Sequence, residues 1–187
     1  MEIDSSIKLV VMDGVYDPAE ESYLLIKGIE VRGDEKVLDM GCGSGVVAIH
    51  LAKAGCRVTA ADINKRAVEN ARKNAMINGL SIKCVRSNLF SDIEEKFDII
   101  VFNPPYLPTE GEDIAWDGGK NGTRIIEKFL ENAHRHLTGN GKIYMVASSL
   151  TGMDSIMKKF GEIYEFRERM KESYFFEKII LYEIVLR

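Results

Sequence analysis

Short apolar runs alternate with segments of helical periodicity along most of the 187 residues, and this alternation limits the possible folds more than any other feature. Apolar runs separated by helices are typical of a parallel sheet covered by helices. The runs predict strands at Lys36–Met40, Arg57–Asp62, Ser81–Val85, Phe97–Phe102, Lys142–Ala147, Ile163–Met170 and Lys178–Leu186. The connection between the last two is too short for a crossover helix, so these strands should pair antiparallel. We therefore expect a single α/β domain over residues 1–187, a Rossmann-like, doubly wound sheet of seven mostly parallel strands with an antiparallel C-terminal strand.

Polar residues predict where the helices begin and end. Asp17 is placed to cap a helix, with Pro18 at the first helical position and Glu20 three residues after the cap. This helix should run to about Gly28. The other predicted features are helices at Ser44–Ala54 and Met153–Phe160, a helix capped by Asn64 that closes near Asn78-Gly79, a helix that ends near Leu137, and a turn at Thr138–Gly141.

The charge balance argues weakly against a nucleic-acid partner. The chain has 25 basic and 29 acidic residues, a net charge of −4. Proteins held to nucleic acid by phosphate contacts usually show a basic excess or a basic cluster. The densest basic run, from Lys65 to Lys73, lies in one predicted helix and includes Glu69, which is typical of a solvated helix face.

The cysteines and the hydropathy pattern point to a reducing compartment. Cys42, Cys56 and Cys84 form no Cys-x-x-Cys pair, so the sequence predicts buried thiols, no disulfide framework and no metal site. No window approaches the roughly 18 uninterrupted apolar residues of a membrane span, and no signal-peptide pattern opens the chain. We expect a cytoplasmic protein without membrane association.

A glycine-rich turn follows the first predicted strand and carries the cofactor prediction. Asp39 ends the strand, and Gly41, Gly43 and Gly45 alternate with other residues before the next helix. Glycines let the backbone turn sharply and approach a ligand closely. Val46 stands where a dinucleotide motif needs its third glycine, and an acid before the turn would repel a pyrophosphate. The acid can instead receive the ammonium group of a methionine moiety, so the pattern predicts S-adenosyl-L-methionine, with S-adenosyl-L-homocysteine as the product.

Polar residues at two further strand ends extend the predicted cofactor site. Asp62 closes the second strand, where an acid can accept hydrogen bonds from both ribose hydroxyls, and Ile63 follows it directly. After the third strand, Asn88 could reach the adenine edge and Leu89 could cover the adenine face. Ligands of open α/β sheets bind at such carboxyl strand ends, so these residues are expected to lie close together.

The four residues after the buried strand Phe97–Phe102 predict the chemistry. They are Asn103, Pro104, Pro105 and Tyr106. The two prolines fix the turn, which leaves the Asn103 side-chain oxygen and the Pro104 carbonyl free to accept hydrogen bonds from one –NH2 group. Two acceptors orient the nitrogen lone pair of an amide, which is otherwise delocalised, and Tyr106 offers a flat wall for the substrate. Catalysis would then depend on positioning and electrostatics, with Asn103 also bordering the cofactor.

With this tetrad in place, the sequence resembles the HemK-type glutamine N5-methyltransferases of translation release factors, and in particular their short archaeal and eukaryotic branch. The resemblance rests on the following segments: Val15–Ser22, Asp39–Gly45, Asp62, Asn103–Tyr106 and Ala115–Gly122. One position departs from the family, which usually has an acid where Asn88 stands. Because the Asn88 oxygen can still accept a hydrogen bond, we expect altered rather than absent cofactor binding.

The resemblance implies a substrate, a partner and further site residues. The implied substrate is the glutamine of the Gly-Gly-Gln motif in a class I release factor, and the implied partner is a small zinc-binding activator protein that covers an exposed sheet edge. Tyr16 and Ser22 should lie over the cofactor, within an N-terminal extension of residues 1–30. The Trp116–Gly122 loop should border the substrate entrance. The resemblance to the short branch implies no N-terminal recognition domain of the kind that longer bacterial members have, so we expect docking to fall to the loops or to a partner.

Three other functions remain open at this stage. An N6-adenine methyltransferase acting on DNA or RNA would use the same Asn-Pro-Pro-Tyr motif, although a duplex enzyme must flip its base and usually carries a separate recognition region. Another protein nitrogen, such as that of lysine, could be the acceptor once it has lost its proton. A cofactor-binding module with a decayed site is the non-enzymatic alternative, and Asn88 alone supports it.

Overall fold

The strands form where the sequence has short apolar runs. The computed structural model describes residues 1–105 and 122–187, and within them seven strands form one sheet. The strands are β1 (Lys36–Met40), β2 (Arg57–Asp62), β3 (Lys83–Arg86), β4 (Phe97–Phe102), β5 (Leu137–Ser148), β6 (Tyr164–Ser173) and β7 (Lys178–Leu186). Their order in the sheet is β3-β2-β1-β4-β5-β7-β6. Strands β1 to β5 pair in parallel, and β7 is antiparallel to both β5 and β6. This confirms the predicted α/β sheet with its reversed C-terminal strand.

The central strands are buried because helices pack against the sheet. The helices of the described residues are α1 (Glu20–Gly28), α2 (Val46–Lys53), α3 (Lys65–Ile77), α4 (Arg124–Ala133) and α5 (Met153–Phe160), and a 3₁₀ turn at His134–His136 follows α4. Every residue of β4 except Asp98 is buried, as expected of a parallel strand covered on both faces. The core extends to Phe129 of α4 and Tyr164 of β6, which are both inaccessible to solvent.

The start of α1 differs from the prediction. Asp17 does not cap the helix and Pro18 is not its first residue, because α1 begins at Glu20 with an extended Ala19 at the N-cap position and no side-chain cap. Tyr16 explains the difference, since its hydroxyl donates a hydrogen bond to the carboxylate of Glu21. This side-chain contact between residues five apart competes with the capping signal of Asp17.

Other boundaries shift by a few residues for reasons visible in the pairing. Strand β3 begins at Lys83 rather than Ser81, where it pairs with β2. The predicted turn at Thr138–Gly141 lies within β5, because Leu137 already pairs with Phe97 and the register shifts before the next pair. These turn residues therefore form an irregularity inside a longer strand. Helix α2 begins at Val46 rather than Ser44, and β6 spans Tyr164–Ser173 rather than Ile163–Met170 because it pairs with β7 along that length. The Asn64 cap of α3 is confirmed by a 2.9 Å bond from the Arg66 amide.

The three cysteines are free thiols in the part of the chain that the structure describes. Cys42 and Cys56 are buried free thiols, as predicted, whereas Cys84 is only half-buried. No cluster of metal-binding side chains occurs in residues 1–105 or 122–187. None of the helices in the described part of the chain combines the length and the apolar character that crossing a bilayer demands.

Two glycines let the loops before β1 and β2 cross in contact. Gly33 and Gly55 both have positive φ angles, of 103° and 95°. A Cβ atom at Gly55 would lie 2.6 Å from the carbonyl oxygen of Gly33, a distance that backbone atoms cannot accommodate without moving. Gly79 has a positive φ of 68° as well, but nothing lies within 4 Å of the space that its Cβ would occupy.

These glycines give a matched test of close backbone approach. Gly79→Ala should lower the free energy of unfolding by about 1–2 kcal/mol, the cost of a left-handed residue with a Cβ. Gly55→Ala carries the same strain together with a backbone clash, so it should cost about 1–3 kcal/mol more. Urea unfolding of both variants measures the difference. Equal losses at the two positions would mean that the loop crossing adjusts freely.

Candidate active site

The glycine-rich loop between β1 and α2 is fixed by hydrogen bonds within the protein. The amides of Gly41 and Cys42 both donate to the carbonyl oxygen of Ala61 in β2, at 2.8 and 3.0 Å. The Gly45 amide donates to the Cys42 carbonyl at 2.8 Å. The positive φ angles of Gly41, Gly43 and Gly45 are 68°, 52° and 83°. The glycines therefore serve the shape of the loop, and these amides are already engaged rather than aimed at a ligand.

Asp39 is a buried carboxylate at the end of β1. Its side chain is 3% exposed, and its Oδ2 accepts a hydrogen bond from the Ala48 amide of α2 at 3.0 Å. Burial raises the pKa of this carboxyl to about 7, the Ala48 bond lowers it, and repulsion from Asp62 adds to the rise. A carboxyl in this position is stabilised in its charged form by any cation that enters beside it.

Asp62 lies at the adjacent strand end and is tied to the same loop. Its Oδ2 accepts a hydrogen bond from the Gly43 amide at 3.0 Å, and its Oδ1 accepts one from the Asn64 amide at 2.8 Å. Burial raises the pKa of Asp62, although these backbone donors act in the opposite direction. In residues 1–105 and 122–187, no salt bridge joins Asp39 or Asp62 to a basic side chain.

A small cleft, open to solvent, lies between this loop and the N-terminal segment. Six of the predicted site residues line it: Tyr16, Ser22, Asp39, Gly41, Gly43 and Asn103. Pro18, Cys42, Ser44, Val46 and Val47 line it as well and were not predicted. The acceptors and apolar walls fit a ligand with an ammonium group and apolar parts, and the carboxylate of Asp39 disfavours a pyrophosphate. The residues present therefore fit S-adenosylmethionine.

The other predicted cofactor residues lie outside the lining of this cleft. Gly45 stands at the N-terminus of α2, and Asp62 reaches the cleft only through its bond to Gly43. Ile63 is half-buried beyond Asp62, and its carbonyl accepts a hydrogen bond from Arg86. Asn88 is exposed, and Leu89 has a positive φ of 50°, which is uncommon for a branched side chain. The strained Leu89 backbone turns the chain at the end of β3, beside Asp62.

Asn103 stands at the end of β4 beside a buried acid that sequence reasoning missed. Glu21 of α1 is 7% exposed, and its carboxylate accepts a hydrogen bond from the Tyr16 hydroxyl. Burial raises the pKa of Glu21, the nearby Asn103 side chain lowers it, and repulsion from Glu177 raises it further. Glu21 stands next to Ser22 in the motif that the sequence singled out, but no local pattern showed that its partner would be Asn103.

Pro104 is buried and Pro105 is half-buried at the start of the loop that follows β4. Two predicted features lie outside the described residues: Tyr106, and the Trp116–Gly122 loop apart from Gly122.

A further feature borders this edge of the sheet. The turn between β6 and β7 carries Phe175 and Phe176, which are 93% and 85% exposed. The turn lies close to the site because Glu177 bonds to Ser148 at the end of β5.

Comparison with known sequences identifies the family. The profile of the small methyltransferase domain matches residues 10–174. The chain belongs to the small methyltransferase domain family. It is an S-adenosylmethionine-dependent methyltransferase, as the sequence predicted.

Relatives and neighbours of this methyltransferase act on more than one kind of acceptor. A Methanocaldococcus jannaschii protein, provisionally named a protein N5-glutamine methyltransferase, is 38% identical over 82% of both chains. The ribosomal RNA small subunit methyltransferase C of Haemophilus influenzae is 31% identical over 86% of this chain, which spans 47% of that protein. The E. cuniculi Mtq2–Trm112 complex, responsible for methylation of the termination factor eRF1, contains a chain with 26% identity and a TM-score of 0.75, over 92% of this chain and 99% of that one.

The raised pKa of Asp39 predicts a pH-dependent stability. Without ligand, the folded protein holds a proton on Asp39 up to about pH 7, whereas the unfolded chain releases it near pH 4. The free energy of unfolding should therefore fall as pH rises through this window. Asp39→Asn keeps an acceptor for the Ala48 amide and removes the titration, so it should exceed the wild type in stability at pH 8 by up to a few kcal/mol. Urea unfolding at several pH values measures the difference, and a pH-independent difference would contradict the assignment.

Proposed function

We propose that this methyltransferase transfers a methyl group to the side-chain N5 of the glutamine in the Gly-Gly-Gln motif of a class I release factor. The observation that carries the proposal is the place of Asn103 in the lining of the cleft, beside the buried Glu21. Because an ionised Glu21 can only accept, the –NH2 end of Asn103 is held toward Glu21 and its oxygen is left for a substrate –NH2 group. The glutamine-modifying relative and the eRF1-modifying complex support the same acceptor.

The protein's part in the reaction is to orient the acceptor nitrogen. Bound S-adenosylmethionine supplies an electrophilic methyl group on a sulfonium. The side-chain oxygen of Asn103 and the carbonyl of Pro104 accept one hydrogen bond each from the acceptor –NH2 group, which directs its lone pair toward the cleft. Pro105 keeps this turn rigid, and Tyr106 forms the flat wall beside the amide. The proton leaves to water after transfer, so the site needs no strong base.

The cofactor contacts follow the strand ends. Asp39 receives the ammonium group, and Tyr16 and Ser22 cover the methionine moiety from the N-terminal side of the cleft that they line. Gly41, Gly43 and Gly45 shape the loop beneath. Asp62 and Ile63 hold the ribose, and Asn88 and Leu89 contact the adenine at the next strand end. The Asn88 oxygen accepts from the adenine amino group in place of the more usual acid.

A partner and a location follow from this function. The Trm112 subunit of the E. cuniculi complex supports a small activator protein for this chain, and we propose that it binds zinc and covers an exposed edge of the sheet. The two edges of the described sheet are β3 and β6. A release factor as substrate places the enzyme in the cytoplasm.

A nucleobase amine is the second candidate acceptor, and the ribosomal RNA relative favours it. Adenine and guanine also present a planar –NH2 group that two acceptors can bind. The net charge of −4 argues against it, since phosphate contacts need basic side chains.

Methyl transfer from labelled S-adenosylmethionine tests the function. Purified release factor, with its Gly-Gly-Gln glutamine intact or changed to alanine, is the protein substrate, and ribosomal RNA and DNA are the controls. The reaction is run with and without a co-expressed Trm112-like partner. We expect label only on the intact release factor. Label on RNA or DNA would move the function to a nucleobase, and binding of cofactor without any transfer would support a decayed site.

The orientation of Asn103 predicts graded losses of turnover. Asn103→Ala removes one of two acceptors and should lower kcat by about 10²–10³, as loss of one oriented polar group at a reacting centre commonly does. Glu21→Gln should lower kcat by about fivefold to tenfold, because an amide tolerates both orientations of Asn103. The exposed neighbour Glu20→Gln is the matched control and should leave kcat unchanged. If the affinity for S-adenosylmethionine fell as much as kcat in the first variant, Asn103 would be a cofactor ligand instead.

A further inference from the structure

Three asparagines at four-residue spacing, Asn70 and Asn74 within helix α3 and Asn78 at its C-cap, lie on one face of the helix. Asn70 and Asn74 are completely buried and Asn78 is half-buried. A buried carboxamide destabilises the folded state unless its donors and acceptor find partners. All three find them in the same segment, residues 8–12, which we call the N-terminal strap.

Asn74 and Asn78 bind the strap as a neighbouring β-strand would. The Lys8 amide donates to Oδ1 of Asn78 at 2.9 Å, and Nδ2 of Asn78 donates back to the Lys8 carbonyl at 2.8 Å. The Val10 amide donates to Oδ1 of Asn74 at 3.0 Å, and Nδ2 of Asn74 donates back to the Val10 carbonyl at 2.8 Å. Alternate residues are bound, as along the edge of a sheet.

The remaining bonds continue the same line toward the cleft. The Met12 amide donates to Oδ1 of Asn70 at 2.7 Å, and Nδ2 of Asn70 donates to the Val10 carbonyl at 2.7 Å. Beyond the strap, Nδ2 of Asn64 donates to the Gly14 carbonyl at 2.9 Å. The asparagines along α3, from its C-terminal end to its N-cap, therefore bind every second residue of the N-terminal segment: Lys8, Val10, Met12 and Gly14.

Asn74 differs from its two neighbours because it also contacts the cofactor loop. Its Nδ2 donates a second hydrogen bond, of 2.9 Å, to the carbonyl oxygen of Ser44. Ser44 is a lining residue of the cleft and lies between Gly43 and Gly45. One buried carboxamide thus joins the strap to the glycine-rich loop.

The strap also sets the position of the opposite wall of the cleft. Tyr16 follows the strap and lines the cleft. Its backbone oxygen and its Cβ lie 3.8 and 3.9 Å from the position that a Cβ at Gly43 would occupy. A displacement of the strap would therefore move one wall of the cleft, and a displacement of Asn74 would release both walls.

We propose that Asn74 is a positioning residue for S-adenosylmethionine, which holds the strap and the glycine-rich loop in the single arrangement that binds the cofactor. Cofactor binding and strap order are then coupled. By thermodynamic linkage, the cofactor must stabilise the strap by the same factor by which an ordered strap raises cofactor affinity. The coupling concerns the cofactor alone, so it stands or fails independently of the methyl acceptor.

Hydrogen exchange on the wild-type protein tests the coupling without any variant. The reporter is the Met12 amide, whose acceptor is Asn70 and which does not touch the cleft. Saturating S-adenosylmethionine should slow its exchange about tenfold, because opening of the strap must then compete with cofactor binding. Unchanged exchange at the Met12 amide would overturn the proposal.

Two substitutions on the same helix face separate positioning from general stability. Asn74→Leu, nearly isosteric, removes the strap and loop bonds together and should raise the dissociation constant of S-adenosylmethionine about tenfold, measured by calorimetry. Asn78→Ala removes the bonds to Lys8 and one to the Asn74 carbonyl but no bond to the glycine-rich loop, and should raise it by less than about threefold. In Asn74→Leu the cofactor should also no longer slow exchange at Met12. An unchanged dissociation constant in a folded Asn74→Leu protein, or equal rises in the two variants, would show that Asn74 supports the fold alone.

Discussion

The hydrogen bond from the Ala48 amide to the buried carboxylate of Asp39 ties β1 to α2 around the glycine-rich loop, and the site depends on it. Burial opposes the charged form of Asp39, so the fold holds this carboxyl at a cost in stability that a cation in the cleft can offset. Asp62 repeats the arrangement one strand away by binding Gly43. Two acids at adjacent strand ends thus hold the loop, Asp39 through the start of α2 and Asp62 through Gly43.

Most of the sheet could be predicted because its determinants are local. Strands β1, β2, β4 and β7 have the bounds that their apolar runs indicated. Asn64 caps α3 with its own side chain, so its signal also lies in neighbouring residues. The start of α1 failed as a prediction because Tyr16 binds Glu21, and the turn before β5 failed because pairing with β4 extends the strand. The first is a side-chain contact between residues five apart that competes with the capping signal, and the second is a tertiary contact between distant strands.

The residues of the candidate site also divide into those with a local sequence signal and those whose partners lie far along the chain. The acid and glycine pattern identified the cofactor loop, since spacing along the chain is enough to define a turn. Glu21 and the asparagines of α3 escaped notice because their partners lie far away in sequence; Asn74 bonds to Val10, 64 residues away. An asparagine on a helix usually reads as a surface residue, and only the packed fold reveals that three of them form a binding face for the backbone.

The place of β7 in the sheet has a consequence for synthesis of the protein. This strand follows β6 in the chain but lies between β5 and β6, so β6 has no neighbour to pair with until β7 has been made. The cofactor half of the sheet, from β3 to β4, can form while the chain is still emerging from a ribosome. Until β7 arrives, however, β5 presents an open and largely apolar edge. A stalled or truncated chain would therefore be nearly folded and yet prone to aggregate, which makes the second half of the sheet the vulnerable stage in its biogenesis.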